Sequence, residues 1–163
     1  MSYVDLIGAE IDASGEDPAY AGGASDSMIA EFEKELGVVF PGSYKLFLRK
    51  FGALSFAGET YYGVTKSGLA ATAIPSVLFA TKNARSLGDA DNGMIVIKSS
   101  GYGHIYSIDT SRIGEAGEPV VVATELSFKR DGEKNVIFKS FEDFFVALSG
   151  SLLKIFNVAG GGG

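Results

Sequence analysis

Between Ser25 and Gly52 the apolar residues fall into two helical stripes, each closed by a glycine, which commits this part of the chain to a pair of packed helices. Met28, Ile29, Phe32 and Leu36 recur on one face of the first, Ser25 or Ser27 can cap it, and Gly37 supplies a left-handed stop. Val38, Val39 and Phe40 form a short apolar link to Pro41, which suits a helix start because its missing N–H is not needed there. In the second stripe Tyr44, Phe47, Leu48 and Phe51 face inward, Lys45, Arg49 and Lys50 face water, and Gly52 ends the run.

From Ala53 the pattern turns to short strands. Leu54 to Phe56 and Thr60 to Tyr62, broken by Gly58, predict a hairpin, and residues 64–73 read as a Gly- and Ala-rich loop. Ile74 to Leu87 admits a helix with Pro75 in its first turn, Arg85 near its end and Gly88 as its stop. Met94 to Ile97 and Ile105 to Ile108 flank a Gly101–Gly103 turn, and Val120 to Thr124 and Asn135 to Phe138 are further strands, separated by turn residues such as Asp131 and Gly132. Ser140 caps a closing helix with Phe141, Phe144, Phe145 and Leu148 on its apolar face. Helices first, then strands joined by turns, then a last helix, predict an α+β fold with a mostly antiparallel sheet, an N-terminal helix pair and a C-terminal helix. Residues 1–25 read as an acidic, irregular leader that adds little core, 26–157 as one domain and 158–163 as a flexible glycine tail.

A chain of 163 residues without cysteine must hold this fold by packing alone, and it has no thiolate for a zinc site, an iron–sulfur cluster or a nucleophile. No apolar run approaches the roughly 18 residues that span a bilayer, and Met1 to Glu10 lacks a signal peptide's basic start. A cytoplasmic protein away from membranes is therefore expected. Residues 1–35 carry nine acids against one base, Lys34, whereas the remainder carries thirteen bases against eleven acids. Such an acidic third repels nucleic acid and attracts a basic partner.

Candidate catalytic groups are sparse. His104 is the single histidine and sits beside a turn, Ser55 lacks the spacing of a nucleophile elbow, and Asp89-Ala-Asp91-Asn92-Gly93 places its glycine too early for a calcium loop. Gly101-Tyr-Gly103 lacks the third glycine and following helix of a phosphate cradle. No catalytic residue, metal or cofactor is assigned. A small hydrolase using carboxylates or His104 is the catalytic alternative.

The run from Ile29 to Gly63 carries, in order, Glu35-Leu36-Gly37, Pro41, Ser43-Tyr44, Phe47-Leu48, Gly52 and Tyr62-Gly63. The hairpin from Met94 to Asp109 and the closing Ser140-Phe141-Glu142-Asp143-Phe144-Phe145 follow. This order resembles the SUKH superfamily of Smi/Knr-like domains. The resemblance implies a non-enzymatic domain, in bacteria an immunity protein that neutralises a cognate toxin, often a nuclease, and in fungi a cell-wall signalling regulator. An intracellular adaptor of the same fold is the alternative. The matched glycines and aromatics are structural, so the resemblance carries over no contact residue.

Charge alone points to a docking surface. The period that sends Ile29, Phe32 and Leu36 inward leaves Asp26, Glu31, Glu33 and Glu35 outside, and these four are expected to meet a basic toxin domain.

Overall fold

The computed structural model describes residues 2–101, 103–125 and 132–160, with side chains through residue 150. In chain order the elements are α1 (Tyr3–Ala13), β1 (Ala19–Tyr20), α2 (Asp26–Leu36), α3 (Gly42–Phe51), β2 (Leu54–Phe56), β3 (Glu59–Tyr61), a 3₁₀ turn at Gly68–Ala70, α4 (Val77–Leu87), β4 (Met94–Ser99), β5 (His104–Ile113), β6 (Pro119–Glu125), β7 (Asn135–Phe138) and α5 (Phe141–Gly160). Strands β1, β2 and β3 make one antiparallel sheet, and β4 to β7 make a second, in sequence order. The fold is α+β with antiparallel strand pairing, as predicted, but the strands form two sheets where one was expected.

Local chemistry accounts for most boundaries. The Ser25 hydroxyl accepts the Met28 N–H at the start of α2, and Gly37 ends it in the left-handed region. Ser76 caps α4 in the same way, so Pro75 precedes the helix and does not lie in its first turn. Ser140 accepts the Asp143 N–H where α5 begins. The predicted turns at Tyr102 and Asp131 fall on residues outside the described ones.

The expected irregular leader is instead a helix that joins the core. Val4, Ile7 and Ile11 of α1 are buried at helical spacing, and the Tyr3 ring meets Phe145 of α5 edge-on at 6.1 Å. The Asp5 carboxylate accepts hydrogen bonds from the Ser2 N–H and hydroxyl, which holds the first turn. Gly8 does not break α1. It faces α3, where a Cβ at that position would make ordinary contacts, 3.4 Å from the Lys50 side chain and 3.8 Å from the Phe51 ring. Helix α5 continues through Gly160, so residues 158–160 of the expected glycine tail are helical, and residues 161–163 lie outside the described ones.

The two sheets meet where the Tyr62 N–H donates to the Ile97 carbonyl at 2.9 Å. Buried Lys98 of β4 pairs there with Glu59 of β3, its ammonium 5.4 Å from the Tyr61 ring centroid. The core centres on aromatic rings. Phe47 lies 5.3 Å from both Phe141 and Phe145, 5.5 Å from Phe51 and 5.9 Å from Tyr44. Fully buried Tyr44 donates its hydroxyl to the Tyr62 carbonyl, and burial holds that phenol well above its ordinary pKa. Offset and edge-on ring pairs of this kind add about 0.5–1.5 kcal/mol each beyond their buried area. Phe47→Ala should therefore lower stability by about 3–5 kcal/mol in urea unfolding, whereas Phe47→Leu, which leaves a smaller void, should cost clearly less.

Candidate partner-docking surface

Helix α2 places the four predicted carboxylates on two flanks of its buried stripe and does not gather them on one face. Asp26 lies in the first turn and pairs with Arg49 of α3, Oδ1 to Nε 2.6 Å, both side chains exposed. Glu33 is also on the α3 flank. Its side chain is only 18% exposed, its Oε2 accepts the Phe40 N–H at 2.8 Å, and Lys45 of α3 lies 3.5 Å away. Glu35 is on the opposite flank, 2.9 Å from the Lys82 ammonium of α4, and that hydrogen bond holds its carboxyl below the usual range. Glu31 is exposed and has no cation partner among the described residues.

Glu33 thus differs from the exposed carboxylate the helical period predicts. Phe40 is buried, so its N–H needs an internal acceptor, and Glu33 reaches across the turn at Gly37 to supply it. The exposed pairs contribute little to stability, but the Glu33 contact fixes the α2–α3 link.

That link forms one wall of a groove of about 860 Å³. Gly37 to Pro41 line it on one side, Asn92, Gly93 and Thr110 on another, with Ile113 and Pro119 at the far end. Strand β5 creates this wall by outrunning its neighbour: Met94, the first residue of β4, pairs with Asp109, yet β5 continues to Ile113, which pairs with Pro119 of β6. Two large apolar side chains in the groove are left in water, Val39 at 73% and Ile113 at 62% exposure. Apolar groups ringed by Lys34, Glu33 and Lys45 are the composition expected of a surface that another molecule covers. The sequence held a partial signal, because three successive apolar residues in an extended link cannot all face one core. Ile113 carried none, since its exposure depends on the unequal length of two strands.

Asp91, Asp109 and His104 each have a structural partner. Asp91 accepts the Gly93 N–H at 2.9 Å, closing the turn that resembled a calcium loop, and lies 2.6 Å from the Lys134 ammonium. Lys134 also pairs with buried Asp109 at 3.1 Å. Burial opposes the charge of Asp109, but hydrogen bonds from Ser111 and Lys134 outweigh it and hold the carboxyl below its usual pKa. His104 Nε2 lies 3.0 Å from Glu125 Oε1 at an exposed end of β5. Among the described residues no group of three or more His, Cys, Asp or Glu side chains is arranged to hold a metal ion. Nor is any helix there long and apolar enough to cross a membrane.

A family described as SMI1-KNR4 cell-wall, of the SUKH type, matches residues 26–145. The chain belongs to the SUKH superfamily. The SUKH match begins at the first residue of α2 and ends inside α5, so the α2–α3 pair, both sheets except β1, and the groove at Val39 and Ile113 all lie within it. Helix α1 and β1 precede it.

The unequal roles of the α2 carboxylates are separable by mutation. Glu33→Ala should destabilise the domain by about 1–3 kcal/mol, since it orphans a buried N–H, whereas Glu31→Ala should change stability by less than about 0.5 kcal/mol in the same urea titration.

Proposed function

We propose that this SUKH domain is a non-enzymatic protein-binding module that acts as an immunity protein, neutralising a cognate bacterial toxin with a basic surface. The family match over residues 26–145 carries the reading. Charge supports it: the chain has a net charge of −6, and its first 35 residues hold nine of the acids. A nuclease is the toxin class this charge suits best, because a cleft built to hold phosphates presents the cations that an acidic surface can occupy.

On this reading the toxin approaches the α2 side of the domain. Glu31, with the exposed faces of Asp26 and Glu35, speeds encounter, and Val39 and Ile113 supply apolar contact that slows departure. Glu33 contributes its field from within the fold. Binding by long-range charge and a small apolar patch needs no reacting group, and the protein works by covering the toxin's active surface. The second reading is a regulatory interaction module, favoured by the cell-wall description of the matching family.

Cells expressing a toxin encoded beside this chain's gene should survive when the domain is co-expressed and die without it. Equal killing in both cultures would exclude the immunity reading, and a host locus with no toxin reading frame would favour the regulatory one.

A further inference from the structure

We propose that the cleft between α1, Tyr20 and the end of α3 is a receptor for a single arginine side chain projected by a basic protein partner. This rests on the partner being a basic protein, and it assigns a second contact point outside the α2 surface. The cleft has a volume of about 600 Å³. One wall is a face of α1, where Asp5, Gly8, Ala9 and Asp12 fall at helical spacing. The floor is aromatic: Tyr20 stacks on Phe51 with centroids 5.4 Å apart and planes 9° from parallel. Tyr20 is 42% exposed, so part of its ring remains open to a ligand.

The charges in this cleft do not balance. Lys50 satisfies Asp5 at 3.2 Å, but Asp12 is exposed and has no cation partner among the described residues. Asp12 is also in the last turn of α1, which carries no base, so its charge opposes the negative end of the helix dipole. It lies close enough to Tyr20 to help raise that phenol's pKa, after burial as the larger cause. An unneutralised carboxylate beside an open aromatic ring is complementary to a guanidinium, which can stack on the ring and donate two hydrogen bonds to the carboxylate at once. A lysine ammonium matches only the charge. Glu16 and Asp17, both exposed just beyond α1, extend the negative field and disfavour nucleic acid or an anionic membrane as the occupant.

Every α1 residue of this cleft, and Tyr20, precedes the span shared with the family, while Lys50 and Phe51 lie inside it. Most of the cleft therefore lies outside the residues matched to the family.

The test is an NMR titration of the full chain with a short peptide containing one central arginine, compared with the same peptide containing uncharged citrulline. The arginine peptide should shift the amides of Ala9, Asp12, Tyr20 and Gly22, and citrulline should not. Asp12→Asn should weaken binding by about fivefold without lowering the melting temperature, Tyr20→Leu should weaken it comparably, and Glu10→Gln should leave it unchanged. Equal shifts from both peptides, shifts centred elsewhere, or unaltered affinity in Asp12→Asn would overturn the proposal. A domain that binds the peptide but fails to protect against the toxin loses the immunity reading and keeps the cleft. One that protects and ignores the peptide loses the cleft alone.

Discussion

The contact between the backbones of Gly52 and Gly63 constrains this molecule more than any other. A Cβ on Gly63 would lie 1.7 Å from the Gly52 carbonyl oxygen, and one on Gly52 would lie 2.1 Å from the carbonyl oxygen of Gly22. Three segments therefore touch main chain to main chain, joined by hydrogen bonds from Val64 N–H to Gly52, Gly22 N–H to Phe51 and Ala24 N–H to Leu48. No other residue fits such an approach. The crossing fixes the end of α3, the exit from β3 and the path by which the N-terminal segment reaches α2. From Gly63 it also passes to α4, whose first residue, Val77, donates its N–H to the Gly63 carbonyl. Both surfaces proposed to bind partners hang from this junction, α2 on one side of α3 and the α1 cleft on the other.

Helix α3 then decides which acids of the N-terminal third are tied into the fold. Lys45, Arg49 and Lys50, its wet side, tie down Glu33, Asp26 and Asp5 respectively. Asp12 on α1 and Glu31 on α2, the two flanking helices, are left without a cation partner among the described residues. Net charge alone hides this division: an acidic third of the chain becomes a braced centre with unpaired carboxylates on either side.

Much of this was legible from one sequence because local rules agreed with the final packing. Stripes with capping serines and terminal glycines placed α2, α3 and the start of α5, and turn residues placed the β2–β3 hairpin. Helix α1 was not legible, because its buried stripe of Val4, Ile7 and Ile11 is interleaved with Gly8 and Ala9, and because what it packs on includes α5, near the far end of the chain. Its one local signal was the pairing of Ser2 with Asp5. The role of Glu33 was hidden for a related reason. Helical period correctly excludes it from the core stripe but is silent on a buried N–H seven residues away. Gly52 is legible as a helix stop, whereas its need to touch Gly63 depends on a crossing that no local pattern encodes.

The central claim, that this SUKH domain acts by covering a basic toxin stoichiometrically, is tested most directly by titrating the purified domain into the purified toxin domain encoded beside it while following toxin activity. The account predicts that activity falls in proportion to added domain and vanishes near equimolar ratio, with slower association as salt is raised. Undiminished toxin activity in the presence of a molar excess of folded domain would contradict it.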